Sequence, residues 1–345
     1  MGEHAAVYGQ PALVAAVDPR ARVEVGEADR GLTVDLVDFR LLLQTTWQEV
    51  SDRAQRSRTA WQRYVDAPTP DRFAEVGSGS PEGLALVALG ELVTARGDRG
   101  LPPLSIRVQS SLPAGSGFGS SASIAVALIG GVLALLDGEV DFPLLDALAM
   151  EVERRQHGLP SGVDHKTVLH GGVVLAERST DGDLRISKLD QSSPMLEKLQ
   201  VYQTGRPVET TGEVVAAVRR YRDEEPERVD ALLERMGSAV ESFRNELEAP
   251  VYRPQVFTEL IRDYQGCLEQ LGVVPAQVRE TIREVEAQGG GAKISGAGSL
   301  TGSLAGCLLV HWPEGPPPEL PARLREYQWQ DVDLGVAGLR VEEDQ

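Results

Sequence analysis

The chain has 345 residues, 41% of them hydrophobic and 25% charged, a balance that suits one or two folded domains with real cores and excludes a disordered or fibrous protein. Acidic residues outnumber basic ones 52 to 34, for a formal net charge of −18; a field of that sign repels nucleic acid and anionic membrane, so neither is expected as a partner. Two cysteines, Cys267 and Cys307, and five histidines are too few for a disulfide framework and argue against a structural zinc site.

Taken in chain order, the opening Met1-Gly2-Glu3-His4 has neither the basic nor the apolar region of an export signal, which predicts a cytoplasmic protein with reduced cysteines. Alternating apolar and polar residues in Ala21-Arg-Val-Glu-Val and Leu32-Thr-Val-Asp-Leu predict half-buried strands of an antiparallel sheet. Residues 39–66 read as one helix closed by Pro68 and Pro70, and Gly83 to Ala95 as another. Leu104 to Ser110 is a strand. The apolar run from Ala122 to Leu136 is shorter than the roughly twenty residues of a membrane span and reads as a buried core helix. Leu144 to Gln156 is a further helix, and Gly171 to Ala176 with Leu184 to Leu189 form a strand pair. Beyond Leu199, amphipathic helices are predicted over 212–247, 254–271 and 276–288. Strands follow at Ala292-Lys-Ile and Gly306 to Trp312, then a proline-rich loop over 313–321 and a last helix and strand. Mixed elements without a regular βαβ rhythm give an α+β fold.

Three glycine-rich stretches carry the chemistry. Ser110-Ser-Leu-Pro113-Ala-Gly115-Ser116-Gly117-Phe-Gly119-Ser120-Ser121-Ala122 follows a strand and opens the apolar helix. Glycines there free backbone N–H groups to converge on one concavity, and the helix N-terminus adds partial positive charge, which suits a polyphosphate. Ser120 and Ser121 can cap the helix, or offer a hydroxyl to a phosphate or its Mg²⁺. Neither the Walker A nor the dinucleotide-binding spacing is present, and a flexible turn with a serine cap is the plainer alternative. The second stretch runs from Gly289 to Ser299 and includes Lys293 and Gly296-Ala297-Gly298; the third is Pro160-Ser-Gly-Val-Asp164.

These stretches resemble the GHMP kinase superfamily. Pro113 to Ala122 matches its ATP motif, Pro-x-x-x-Gly-x-Gly-Ser-Ser-Ala, and Gly296-Ala297-Gly298 its C-terminal motif. Four further segments are similar, within it, to the mevalonate kinases: Gly2 to Leu13, Glu153 to Asp164, Pro207-Val-Glu-Thr210-Thr211-Gly-Glu-Val-Val, and Leu260 to Val273. The resemblance spans residues 2 to about 312. It implies a two-domain α+β fold, 1–190 and 191–345, with the active site in the cleft between the domains. It also implies ATP-dependent phosphorylation of the C5 hydroxyl of mevalonate to 5-phosphomevalonate, in isoprenoid precursor synthesis. Asp164 would be the catalytic carboxylate, and Ser121 and Glu153 the Mg²⁺ ligands. Pro113, Gly115, Ser116, Gly117, Gly119, Ser120, Ser121, Gly296, Ala297 and Gly298 would surround ATP, and Glu3, His4, Thr210 and Thr211 the substrate. A homodimer is common in the family. The chemistry is coherent: an exposed carboxylate after a Ser-Gly turn can accept a hydroxyl proton, and Mg²⁺ often takes only one or two hard oxygen ligands from protein.

Two departures stand out. The family carries a strand ahead of Gly-Glu-His with a lysine that pairs with the catalytic aspartate; here the sequence opens at Met1, and a start codon further upstream is the expected reason. Gly-Ala-Gly continues as Ser299-Leu-Thr-Gly-Ser-Leu-Ala-Gly306 in place of further glycines, a lengthened loop. The alternatives are another GHMP kinase, a mevalonate 3-kinase or phosphomevalonate kinase, and a catalytically silent binding protein. A phosphorylated acceptor would call for more cations than Lys166 and Arg154-Arg155 beside Asp164.

Overall fold

The computed structural model describes residues 1–97, 100–112, 118–179, 182–189 and 195–342. The chain runs β1 (Ala12–Ala15), β2 (Ala21–Glu27), β3 (Leu32–Leu36), β4 (Leu41–Thr45), α1 (Trp47–Asp66), α2 (Pro70–Ala74), α3 (Pro81–Arg96) and β5 (Leu104–Ser110). It continues with α4 (Ser120–Asp137), α5 (Phe142–His157), α6 (Val163–His170), β6 (Val173–Arg178), β7 (Leu184–Lys188) and β8 (Leu199–Gly205). The last elements are α7 (Thr211–Glu224), α8 (Pro226–Glu248), α9 (Pro254–Gln270), α10 (Ala276–Ala287), β9 (Gly291–Ser295), β10 (Gly306–His311) and β11 (Gln328–Gln330). The strands pair almost wholly antiparallel, with β3 and β5 parallel, so the α+β expectation holds. The backbone forms two compact units that interleave in sequence: unit 1 includes residues 1–18 and 171–337, and unit 2 includes 19–112, 119–170 and 338–342.

Unit 2 is built on a sheet of order β2-β5-β3-β4. Alternation along β3 and β5 turns Leu32, Val34, Leu36, Leu104, Ile106 and Val108 into the core. Helices α3 and α4 are predominantly apolar, with Glu91 the buried charge of α3, and they pack into the core rather than showing one amphipathic stripe; Val87, Leu89, Leu92, Val126, Leu128 and Ile129 are fully covered. Each such side chain contributes about 1.5–3 kcal/mol relative to exposure. α4 is long and apolar enough to cross a membrane by length and composition alone, but it packs in this core, as the sequence predicts. The single helix predicted over 39–66 is instead β4 followed by α1. Arg40 turns the chain at φ 51°, residues 41–45 pair with β3, and a capping box then starts the helix. In that box Glu49 N donates to Thr46 Oγ1 at 3.2 Å, and Thr46 N donates to the Glu49 carboxylate at 3.0 Å.

Unit 1 holds two sheets, β1-β6-β7 and β11-β8-β10-β9. β1 pairs with β6, Ala12 opposite Ala176. Val229, Leu232, Leu233, Met236, Val240, Phe243 and Leu247 make the i, i+3, i+4 stripe by which α8 packs against α9, with the Phe243 and Phe257 rings 4.4 Å apart. The helix predicted over 212–247 is broken at Pro226. Proline lacks the N–H that would continue the ladder, and it drives Glu225 out of helical geometry, to φ −132°, ψ 60°.

Candidate active site

Unit 2 brings Ser121, Glu153, His157 and Asp164 together. Ser121 lies in the first turn of α4. Glu153 and His157 are four residues apart on α5 and so share a face. Asp164 follows the Ser161-Gly162 pair in the first turn of α6, a helix the sequence reading did not assign, and it is exposed. Ser121 Oγ lies 3.3 Å from His157 Nε2, which lies 3.8 Å from Glu153 Oε2. The Glu153 side chain is only 2% exposed, and among the described residues its Oε1 has no hydrogen-bond partner. Burial, and then the negative charge of Asp164, push the Glu153 carboxyl well above its ordinary pKa. Burial lowers the His157 imidazole, with Asp164 opposing, so the neutral ring is favoured. Two carboxylates and a hydroxyl thus converge, and among the described residues neither carboxylate has a lysine or arginine partner.

The nearby cations are engaged elsewhere. Lys166 donates to Asp146 Oδ2 at 2.5 Å, and His165 Nε2 donates to Asp146 Oδ1 at 3.1 Å. The His165 hydrogen bond, ahead of Lys166 and against burial, holds the Asp146 carboxyl down to about 2. Arg154 pairs with Glu151. Arg155 is 1% exposed; it binds Glu151 Oε2 at 2.7 Å and Glu91 Oε1 at 3.3 Å and lies 4.8 Å over the Trp61 ring. Arg58 closes the network on Glu91 Oε2 at 2.7 Å. These partners, absent from the sequence reading, hold the end of α5 that presents Glu153 and His157.

Of the residues expected around ATP, Pro113, Gly115, Ser116 and Gly117 lie outside the described residues. The serine cap expected on α4 is not formed: Gly119 is the N-cap, at φ 66°, and among the described residues no side chain caps the helix. Its first N–H groups are therefore not bonded by a capping side chain, as an anion site requires.

The other expected residues belong to unit 1. Glu3 Oε1 accepts from Lys293 Nζ at 2.6 Å, with Lys293 1% exposed and 5.3 Å from the Tyr264 ring centroid. Burial works to raise the Glu3 carboxyl, but the Lys293 ammonium leads the opposing influences, which hold it at about 2. His4 is buried, takes a strained φ of 60°, and donates from Nε2 to the Ala297 carbonyl at 2.9 Å, while its Nδ1 has no partner among the described residues. Thr210 is the N-cap of α7: Glu213 N donates to its Oγ1 at 3.3 Å, and its own N–H donates to Glu213 Oε2 at 2.7 Å. Thr211 is exposed. Tyr264 and Glu209 were missed as partners, although both lie inside segments that carry the resemblance.

Lys293→Met should expose the cost of this pair. It leaves the Glu3 charge buried and uncompensated, a loss of about 3–5 kcal/mol at neutral pH. A depressed carboxyl stabilises the fold fully above its ordinary value of 4.5 and less as pH falls toward about 2. Urea midpoints of variant and parent should therefore converge as pH drops through that window; a constant gap would contradict the assignment.

The family model "GHMP kinases N terminal domain" matches residues 84–172, the stretch that carries Ser121, Glu153 and Asp164, so the class is that of the GHMP kinases. The mevalonate kinase of Thermococcus gammatolerans is 30% identical over 319 residues, covering 91% of this chain and 86% of that protein. The chain belongs to the mevalonate kinase family. Solved structures show the same fold. The Methanococcus jannaschii mevalonate kinase superposes with a TM-score of 0.70 at 19% identity, covering 96% and 93% of the two chains. The L. major mevalonate kinase in complex with R-mevalonate gives a TM-score of 0.62 at 20% identity, covering 94% and 86%.

Proposed function

We propose that the protein transfers the γ-phosphoryl group of ATP to the C5 hydroxyl of mevalonate, giving 5-phosphomevalonate and ADP in isoprenoid precursor synthesis. The observation that carries this reading is Glu153: a carboxylate only 2% exposed, with one oxygen unbonded among the described residues, beside a serine hydroxyl and an exposed aspartate. Burying such a group costs several kcal/mol unless a cation compensates it. Phosphoryl transfer relies on positioning and charge neutralisation. In this reading Asp164 takes the C5 hydroxyl proton as that oxygen bonds to the γ-phosphorus, and the bond to the β,γ-bridging oxygen breaks, its electron pair leaving with ADP.

Glu153 and Ser121 fit Mg²⁺, being hard oxygen donors, and the ion would neutralise phosphate charge. Gly119, Ser120 and the α4 N-terminus, with Pro113, Gly115, Ser116 and Gly117, would receive the phosphates, as would Gly296, Ala297 and Gly298. Glu3, His4, Thr210 and Thr211 would serve the acceptor; the L. major relative's complex with R-mevalonate supports that choice of acceptor. We further propose a cytoplasmic homodimer and, in the family sense, domains of 1–190 and 191–345.

Pairing of Lys166, Arg154 and Arg155 with the fold's own carboxylates speaks against a phosphorylated acceptor, and the retained Ser121, Glu153 and Asp164 against a silent binding protein. The test is ADP release with Mg²⁺-ATP and either mevalonate or 5-phosphomevalonate, with the product located by phosphorus NMR. Turnover with mevalonate and phosphate on C5 is expected. Turnover with 5-phosphomevalonate alone, or bound ATP with no turnover, would overturn the reading.

A further inference from the structure

The lengthened loop after Gly298 is fixed at three points, all within unit 1. At its start Ser299 N donates to the Val273 carbonyl at 2.9 Å. Gly298, at φ +75°, lies so close over that carbonyl that a Cβ would sit 2.1 Å from its oxygen. At its end Thr204 Oγ1 accepts from Ala305 N at 2.8 Å and donates to the Gly306 carbonyl at 2.9 Å. The middle turns on one side chain, Glu209. Its Oε2 accepts from the Ser299 hydroxyl and from Leu300 N at 3.2 Å, and its Oε1 accepts from Thr301 Oγ1 at 2.5 Å.

Ser299 has a single hydroxyl proton, which it also directs at the Thr301 carbonyl, 2.8 Å away. Gly302, at φ +72°, lets the loop fold over Val208, whose Cγ2 would lie 2.8 Å from a Cβ there. Hydrogen bonds to an ionised acceptor are roughly twice as strong as neutral ones. Burial works to raise the Glu209 carboxyl, yet the Ser299 and Thr301 hydroxyls lead the influences that hold it below the usual range.

Glu209 immediately precedes Thr210, the N-cap of α7. One carboxylate therefore joins the loop that continues Gly296-Ala297-Gly298 to the turn that carries Thr210 and Thr211. The Thr210 hydroxyl is itself occupied by Glu213, which leaves Thr211 as the hydroxyl free to meet a ligand. We propose that Glu209 is a positioning residue for the acceptor alcohol: it locks the 299–303 loop to the 207–211 turn, so that Thr211 is held in its binding geometry before mevalonate arrives. This rests on the reading above that Thr211 faces the acceptor.

The test is steady-state kinetics of Glu209→Gln, Glu209→Asp and Thr211→Ala, with hydrogen exchange at Leu300. Glu209→Gln keeps one acceptor oxygen and loses the other along with the charge. It should raise KM for mevalonate about tenfold, with kcat within about twofold and KM for ATP unchanged, the signature of lost ground-state positioning. Leu300 exchange should quicken. Glu209→Asp, which keeps the charge on a shorter arm, should recover part of the loss. Thr211→Ala should raise the same KM. If Thr211→Ala does so and Glu209→Gln does not, the acceptor reading stands and Glu209 is only structural. If neither moves KM for mevalonate, or only KM for ATP rises, Glu209 does not position the acceptor and the proposal fails.

Discussion

Asp164→Asn is expected to lower kcat with mevalonate by about 10³-fold or more while leaving ATP binding close to that of the parent. General-base and charge-positioning groups contribute roughly 10²–10⁴-fold, and Asn keeps the shape of Asp while losing both the proton-accepting oxygen and the charge. The fold should be indifferent. Asp164 is exposed, and among the described residues it forms no ion pair, so the change belongs with surface substitutions worth about 0.5 kcal/mol or less. Removing the charge should also lower the pKa of Glu153, because Asp164 is one of the two influences that raise it. Rate measurements under saturating ATP and mevalonate, with ATP affinity from calorimetry, decide the matter. A kcat within tenfold of the parent would remove Asp164 from the reaction.

Glu153→Gln is expected to part activity from stability. Rate should fall by about 10²–10³-fold, as for loss of one charged group from a charge-stabilising site. The melting temperature of the ligand-free protein should equal or exceed the parent's, because Gln removes a buried charge that no arginine or lysine among the described residues compensates. The pH dependence follows from the sign of the shift. A carboxyl whose folded pKa is raised above 4.5 binds more protons in the folded state, so it costs stability increasingly as pH rises through and beyond that value. Stability above pH 4.5 should therefore depend less on pH in the variant than in the parent. A variant that is both less stable and fully active would show Glu153 to be a structural residue.

What the sequence made legible were features that repeat or sit close together along the chain. Period-2 strands such as Leu32-Thr-Val-Asp-Leu, the all-apolar α4 and the Gly-Ser-Ser-Ala spacing can each be read from neighbouring residues. The errors came where a local pattern had two solutions. Leu41-Leu-Leu-Gln-Thr45 suits helix or strand, and pairing with β3 decides it. Residues 212–247 keep a helical apolar period across Pro226, which breaks the ladder all the same. Around the candidate site, the roles suggested for Lys166 and Arg154-Arg155 depended on partners that adjacency cannot reveal. Arg155 and Glu91 are 64 residues apart, and Glu209 and Ser299 are 90 apart. Distant pairs are set by topology, and a single sequence records topology only weakly.

The interleaving of the two units imposes an order on folding during synthesis. Residues 19–170, which supply most of unit 2, leave the ribosome as one uninterrupted stretch and can condense on local contacts. The first eighteen residues cannot. β1 has its partner in β6, about 160 positions later, and Glu3 has its cation at Lys293, 290 positions later. At roughly 5–20 residues per second, the β6-facing edge of β1 waits roughly 10–30 s for its partner. A nascent chain in that interval offers an open strand edge to any neighbour, and a four-residue β1 keeps that edge short.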